Sequence, residues 1–463
     1  MSRRLKLPQV RPPVPPSMLD LLYLLIVIAA LPWVAWRRLA GKRPVAAPWR
    51  RFTGNVPPLP ERHGSCRIWL HGVSVGEVAL LSSLAGAIRS QAAAEGRRVE
   101  CVVSSSTTTG LEVARARFPP ELVFPCPLDF SWAVRRVLRR VCPDLLVLGE
   151  LELWPQLLSL TAARGTPIAV VNARMSERSF RGYSRVAWLA RRMLGRLRVV
   201  IARSTEDADR FRTLGARHVI VAGSMKYDGA RGDRASAAVR HLATLAGITA
   251  DDLVFLAGST QSPEEALAVE TFRELSVSHP ALRLILVPRH AERSDEIASL
   301  LAASGLAWQR RSHLEADGPD PAARVLLVDV TGELAAWWGT ADVAFVGGSL
   351  DGKRGGQNML EPSAYGAAVC FGPHTRNFQS EVASLLAADA ARIVHDQREL
   401  TAFVGWALRE PVQRKAMGRR AAEAIAAGRG ATAVTVGNLL SQLPATCGPE
   451  SHRLPRPHTT RYP

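Results

Sequence analysis

A chain of 463 residues is too long for one hydrophobic core and suits about two domains of 150 to 200 residues plus extra segments. Hydrophobic residues make up 47% and aromatic residues 6%, which excludes a disordered chain and a multi-span membrane protein. The formal charge of +18 calls for anionic partners, and nucleic acid, an anionic membrane surface and phosphorylated small molecules all fit. Six cysteines, at 66, 101, 126, 142, 370 and 447, show no CxxC or Cys/His spacing. Neither a zinc site nor a disulfide framework is signalled, and a reducing compartment is the simpler expectation.

Residues 1–17 form a basic N-terminal segment. The run LLYLLIVIAALPWVAW from Leu21 to Trp36 carries no charge, and with Met18 and Leu19 it reaches the lower limit of about 17 residues for a membrane-spanning helix. An anchor helix is expected over 18–36, with Asp20 at its edge and Pro32 within it. Arg37, Arg38, Lys42, Arg43, Arg50 and Arg51 follow it, against Arg3, Arg4, Lys6 and Arg11 before it, a bias that places the body of the chain on the cytoplasmic side. A cleaved signal peptide is the competing reading; the long basic flank after the apolar run argues against it. A Pro- and Arg-rich linker covers 37–64.

From Cys66 onward short apolar runs alternate with amphipathic stretches, as in βα units around a parallel sheet. The first series of expected strands is CRIWLHGVS, RVECVVSSS, LLVLGEL, PIAVVNA, LRVVIARS and HVIVAGS, within a domain over 65–224. A partly helical linker follows over 225–250. The second series is DLVFLAGST, LRLILVPRH, RVLLVDVTG, VAFVGGSL, AAVCFGPH and ARIVHD, within a domain over 251–442. The expected fold class is α/β, two Rossmann-like domains facing a cleft. Residues 443–463 lack periodicity and are expected to be a disordered tail.

In open α/β sheets ligands bind beyond the carboxyl ends of the strands, so the residues after each strand carry the chemistry. Those positions are polar or Gly-rich: His71 to Glu77, Glu150 to Glu152, Asn172 to Arg174, Gly258 to Thr260, Pro288 to His290 and Gly347 to Ser349. Glu77 has two open readings. With Ser74 three residues earlier it forms a capping box, and at a site it is a general base for an acceptor hydroxyl. Gly347, Gly348, Gly355 and Gly356 flank a loop leading into Asn358, Met359, Leu360 and Glu361, where a helix start offers N–H groups to a phosphate and Glu361 can accept from ribose hydroxyls. An ordinary Gly-rich turn remains the alternative. Arg289 and His290 are either a phosphate pair or solvated charges at a strand end.

HGVSVGE (71–77), GELELWP (149–155), NARMSERSFRGY (172–183), GSMKYD (223–228), GSTQSPEE (258–265), VPRHAER (287–293), TGEL (331–334), GGSLDGKRGGQNMLEPSAYG (347–366) and FGPHTRNF (371–378) resemble, in order and spacing, the motifs of the transferases that move 3-deoxy-D-manno-octulosonic acid (Kdo) from CMP-Kdo to lipid A precursors. The similarity runs from about 66 to 440. It implies an inverting glycosyltransferase of the two-Rossmann-domain (GT-B) fold, tethered by an N-terminal helix at the cytoplasmic face of the inner membrane and acting in lipopolysaccharide biosynthesis. By that resemblance Glu77 is the catalytic base, and Glu150 or Glu152, with Arg174, lies on the acceptor side. Pro288, Arg289, Gly332, Glu333, Leu334, Asn358, Met359, Leu360 and Glu361 then hold CMP. No metal or cofactor is expected; Arg, Lys and helix N-termini neutralise the leaving phosphate.

The chain departs from the family pattern at Gln156 for Asn, Ser224 for Asn, Gln261 for His, Gln357 for His and Met359 for Pro. Glutamine keeps hydrogen bonding but carries no charge, so donor grip is where a difference is expected. Rival readings are a nucleotide-sugar epimerase or UDP-sugar transferase of the same fold, and a non-catalytic, membrane-tethered nucleotide-binding scaffold. Nucleic acid is not an expected partner, because the basic residues are spread along the chain without a recognised binding motif. An anionic inner-membrane surface and a phosphorylated acceptor account for the charge.

Overall fold

The computed structural model describes residues 16–39 and 47–444, with side chains at 16–17 and 30–39 excepted. The expected N-terminal segment up to residue 15, linker residues 40–46 and the tail from 445 on lie outside the described residues. Among the described residues, those up to Met225 and those from Gly430 on form one compact unit, and Lys226–Arg429 form the other.

The first unit is built on a seven-stranded parallel sheet. Its strands are β1 (Cys66–Gly72), β2 (Val99–Ser105), β3 (Val123–Pro125), β4 (Leu145–Gly149), β5 (Ile168–Ala173), β6 (Val199–Ala202) and β7 (Val219–Val221), in the order β3-β2-β1-β4-β5-β6-β7. β1 is buried along its whole length. Ile68 and Leu70 pack with Val78, Leu81 and Ile88 on one face of the sheet, while Trp69 packs with Phe124, Val134 and Leu138 on the other. Burial on both faces explains why the strands read as continuous apolar runs rather than alternating ones.

Five helices of this unit bear on its site: α1 (Pro16–Leu39), α2 (Pro48–Thr53), α3 (Val75–Ala94), α5 (Ser131–Val141) and α6 (Pro155–Ala163), with α4 (Thr108–Arg115) between α3 and α5. No described helix is long and apolar enough to cross a membrane. The expected single-pass anchor is therefore met only as a helix, α1, which leaves Met18, Leu21, Leu22, Leu25, Ile26 and Ile28 exposed.

The second unit repeats the plan with β8 (Leu253–Thr260), β9 (Leu282–Pro288), β10 (Trp308–Arg310), β11 (Val325–Leu327), β12 (Val343–Val346), β13 (Ala368–Phe371) and β14 (Ala391–Ile393), ordered β10-β11-β9-β8-β12-β13-β14, again parallel. Phe255 and Ala257 of β8 face one apolar cluster, Val254 and Leu256 the opposite one.

Two differences from the sequence reading have physical causes. β3 and β10 are additional strands; β3 runs into Pro125 and Pro127, and β10 is the half-buried Trp308-Gln309-Arg310 at a sheet edge, so neither reads as an uninterrupted apolar run. The expected second domain over 251–442 also loses its end. The helix Ala431–Leu440 belongs to the first unit, where Ala431, Val436, Leu439 and Leu440 join Leu84, Ala85 and Ile88 of α3. Arg97 Nη1 donates to the Leu440 carbonyl at 3.0 Å and Arg198 Nε to Gln442 Oε1 at 2.9 Å. Cys101, Cys126, Cys142 and Cys370 are free thiols, whereas Cys66 is disulfide-bonded, a pairing that the cysteine spacing did not signal.

Candidate active site

In each sheet the strand order reverses once, between β1 and β4 in the first unit and between β8 and β12 in the second. Loops that leave in opposite directions at such a point open a crevice beyond the strand ends. Of the polar turns singled out in the sequence, those after β1, β4, β8 and β12 fall at these two places, and those at the ends of β5 and β9 lie one strand away.

Glu77 enters through the first turn of α3. Ser74 is the N-cap, its Oγ accepting the Glu77 N–H at 3.2 Å, and the Glu77 carboxylate accepts the N–H of Ser74 at 3.2 Å and of Val73 at 3.0 Å. The capping box is thus present, and it does not use up the carboxylate, because each oxygen accepting one N–H retains a second acceptor site. Gly72 and Gly149 give the turn its seat. A Cβ on Gly72 would stand 3.1 Å from Glu77 Cβ, and one on Gly149 3.6 Å from Glu77 Oε2.

The segment after β4 brings up two more carboxylates. Glu150 has φ 52, a left-handed conformation that a non-glycine residue adopts at a cost, so the chain reverses sharply there. Trp154 Nε1 donates to Glu152 Oε2 at 3.0 Å. Burial, reinforced by the negative charges of Glu77 and Glu150, pushes the Glu152 carboxyl up to about 7 against the opposing Trp154 hydrogen bond. A half-buried Tyr183, missed in the sequence, lies close enough to Glu152 to have its hydroxyl raised by that charge, after burial. Near the end of β5, Asn172 is also left-handed, with φ 50; its Oδ1 accepts the Met225 N–H at 3.3 Å, and the ladder with β6 slips between Val170 and Ala173. Arg174, half-buried, follows directly. Beneath the turns His71 is fully buried, its Nδ1 against Ser104, and burial lowers it to about 4, so it is neutral.

In the second unit the turn after β12 is held from within by Glu264, a residue not singled out by the sequence. This buried side chain accepts the N–H groups of Gly348 (2.7 Å), Ser349 (3.0 Å), Leu350 (3.2 Å) and Gln261 (3.0 Å). Its carboxyl is raised by burial and drawn back by those four N–H groups. Asn358 forms an Asx turn, Oδ1 accepting the Leu360 N–H at 3.1 Å, and its Nδ2 donates to Glu361 Oε1 at 2.9 Å. Met359 and Leu360 are buried, and burial raises the Glu361 carboxyl against the Asn358 bond.

Glu333 is engaged by Arg311 in a bidentate pair, Nε to Oε2 at 2.9 Å and Nη2 to Oε1 at 2.7 Å, and by Trp337 Nε1 at 3.1 Å. Gly332 before it has φ 94, an exposed left-handed turn suited to glycine, and Leu334 opens the next helix. Pro288 ends β9 in the core, while the Arg289 guanidinium is exposed and makes no ion pair or hydrogen bond among the described residues. Among the described residues no group of three or more His, Cys, Asp and Glu side chains is placed to hold a metal ion.

Two doubly wound parallel-sheet units, each with polar turns at its switch point, define the GT-B class. Solved structures of that architecture agree at the level of fold: a UDP-GlcNAc 2-epimerase from Neisseria meningitidis (TM-score 0.52, 11% identity, 81% of this chain and 100% of that one) and a glycosyltransferase from Rickettsia africae (TM-score 0.51, 10% identity, 82% and 98%). The family model described as 3-deoxy-D-manno-octulosonic-acid transferase (kdotransferase) matches residues 47–229. The 3-deoxy-D-manno-octulosonic acid transferase of Bordetella pertussis is 35% identical over 415 residues, 87% of this chain and 93% of the relative; that of Haemophilus influenzae is 33% identical over 71% and 74%. The chain belongs to the 3-deoxy-D-manno-octulosonic acid transferase family and is a glycosyltransferase. The epimerase alternative rests on fold alone.

Proposed function

We propose that the enzyme moves Kdo from CMP-Kdo to a hydroxyl of a lipid A precursor, lipid IVA, with inversion at the anomeric carbon. The observation that carries the reading is the pairing of two unlike carboxylates at the first switch point, Glu77 held by two backbone N–H groups and Glu152 raised to about 7 beside it.

Glu77 is the base. As the bond between the anomeric carbon and the CMP phosphate oxygen breaks, the acceptor hydroxyl oxygen bonds to that carbon and its proton passes to Glu77; CMP leaves with the electron pair of the broken bond. A weak base suffices, because an oxocarbenium-like centre acidifies the attacking hydroxyl. Glu150, Glu152 and Arg174 line the acceptor side. Arg289 meets the CMP phosphate, with Pro288, Gly332, Glu333, Leu334, Asn358, Met359, Leu360 and Glu361 around the nucleotide.

The enzyme is attached to the anionic inner-membrane surface by α1, with both units on the cytoplasmic side; because the first turns of α1 rest on the first unit through Asp20 and Tyr23, the attachment proposed is along the surface and not a crossing. Support comes from its exposed Leu21, Leu22, Leu25, Ile26 and Ile28. Nearby, Trp49 of α2, 74% exposed, stacks on Phe52, which meets Trp132 of α5 edge-on. Amphipathic aromatic rings of this kind sit at headgroup level.

The test is transfer from CMP-Kdo, generated in situ, to a tetraacyl disaccharide bisphosphate, with products read by mass spectrometry for wild type and Glu77→Gln. A gain of one or more Kdo masses that vanishes in the variant supports function and base together. No gain by wild-type protein that binds CMP overturns the acceptor assignment, and a fully active variant removes Glu77 from its role.

A further inference from the structure

An acidic residue at the start of an apolar helix is costly unless its charge is met. In α1 the Asp20 carboxylate is met three times, all on the body of the first unit: Oδ1 accepts the Ser131 N–H at 2.8 Å and Gln156 Nε2 at 3.0 Å, and Oδ2 accepts the Ser131 hydroxyl at 2.6 Å. One turn on, the Tyr23 hydroxyl donates to Asp129 Oδ2 at 3.1 Å, and its ring meets Phe130 edge-on at 6.0 Å. Asp129 is buried. Its two oxygens also accept the first N–H groups of α6, Gln156 at 2.9 Å and Leu157 at 2.8 Å.

α6 begins immediately after Trp154, whose indole holds Glu152. A continuous set of contacts therefore runs from Asp20 and Tyr23 through Asp129 and Gln156 to the start of α6 and the Glu152–Trp154 turn. A tether alone requires none of these polar contacts. Gln156 is also one of the departures from the family pattern, where Asn is expected. An Asn would be shorter by one C–C bond of about 1.5 Å and would fall short of Asp20.

We infer that α1 acts through Asp20 and Tyr23 as a positioning element of the acceptor site, fixing the Glu152–Trp154 turn through the N-terminus of α6, in addition to any role in membrane attachment. This rests on the reading of that turn as the acceptor side. Asp20, Tyr23, Asp129 and Gln156 are positioning residues that contact no substrate; they hold the turn that does.

Full-length protein in detergent micelles is assayed for kcat and KM with CMP-Kdo and the tetraacyl disaccharide bisphosphate. In parallel, flotation is measured with vesicles of phosphatidylethanolamine and phosphatidylglycerol. The variants are Asp20→Asn, Tyr23→Phe, Gln156→Asn, and Asp20→Glu combined with Gln156→Asn, which moves the missing methylene to the other partner. A small misplacement of a substrate-bearing turn costs rate, so kcat is expected to fall about ten-fold in Asp20→Asn and Gln156→Asn, with donor KM and flotation unchanged. The combined variant is expected to recover most of the Gln156→Asn loss. Single variants within about two-fold of wild type in kcat overturn the inference, because coupled neighbours of this kind show larger effects. So does a kcat loss matched by an equal loss of flotation, or no recovery in the combined variant. If Asp20→Asn does not fold, Gln156→Asn and its rescue decide. Wild-type protein without transfer overturns the functional reading and this inference with it; active wild type beside unaffected variants overturns this inference alone.

Discussion

Glu264 Oε2 lies 2.7 Å from the backbone nitrogen of Gly348, and the same carboxylate takes the next two N–H groups of the turn, so a buried side chain near the start of the helix Glu264–Ser276 fixes the chain after β12. In Glu264→Gln a neutral amide replaces a carboxylate among four backbone donors, and its NH2 faces at least one N–H. Losing a charge-assisted, buried set of this kind is expected to cost about 2 to 4 kcal/mol, read from the urea midpoint. CMP affinity, measured by calorimetry, falls with it because the turn is no longer held.

The same turn tolerates no side chain at Gly347. A Cβ there would stand 2.6 Å from Thr260 Cα and 2.8 Å from the Ser259 carbonyl oxygen, both backbone. Gly347→Ala is expected to destabilise by about 1 to 3 kcal/mol through overpacking. Thermal unfolding is the measurement, and a variant as stable as wild type contradicts the packing described.

Arg289 and Arg311 should behave oppositely. Arg289 is exposed and unpaired among the described residues, so Arg289→Ala is expected to leave stability within about 0.5 kcal/mol while raising the KM for CMP-Kdo about ten-fold or more. Arg311 is buried and bidentate to Glu333, and lysine cannot reproduce the fork, so Arg311→Lys is expected to lower stability by about 1 to 3 kcal/mol. Denaturation midpoints and donor KM for both variants separate the two cases.

Glu152 gives a stability difference that changes with pH. Its folded carboxyl titrates at about 7 against an ordinary value of 4.5, so between those values the folded protein binds more protons than the unfolded chain. The contribution of Glu152 is complete below about pH 4.5 and is lost as pH rises towards 7. Glu152→Gln carries no such loss. The variant should gain on wild type between pH 5 and pH 8 in urea midpoints; a difference independent of pH contradicts the raised carboxyl.

Much of this was legible in the sequence because parallel strands buried on both faces announce themselves as apolar runs, and because ligand turns follow strand ends. The runs at Leu145–Gly149 and Val343–Val346 became the switch-point strands β4 and β12, with their polar turns where the pattern put them. What stayed hidden depends on distance along the chain. Glu264 reads as an ordinary acidic residue in the first turn of a helix, and only the fold brings it to Gly348, 84 positions on. Asp20 reads as a blemish in an apolar run, while its partners Ser131 and Gln156 lie more than a hundred residues away. β3 runs into Pro125 and Pro127 and β10 carries the polar Gln309 and Arg310, so neither announces itself as an apolar run.

The helix Ala431–Leu440 returns to cover α3 of the first unit, which makes 226–429 an insertion in sequence terms. During synthesis the inserted unit is complete as soon as its own residues have emerged. The unit begun first must wait, with Leu84, Ala85 and Ile88 bare of their final cover, until residues 431–440 have emerged. A message truncated just after codon 430 would therefore yield a second unit able to finish folding and a first unit left with an open apolar seam. That seam offers chaperones and proteases a means of telling incomplete copies from finished ones.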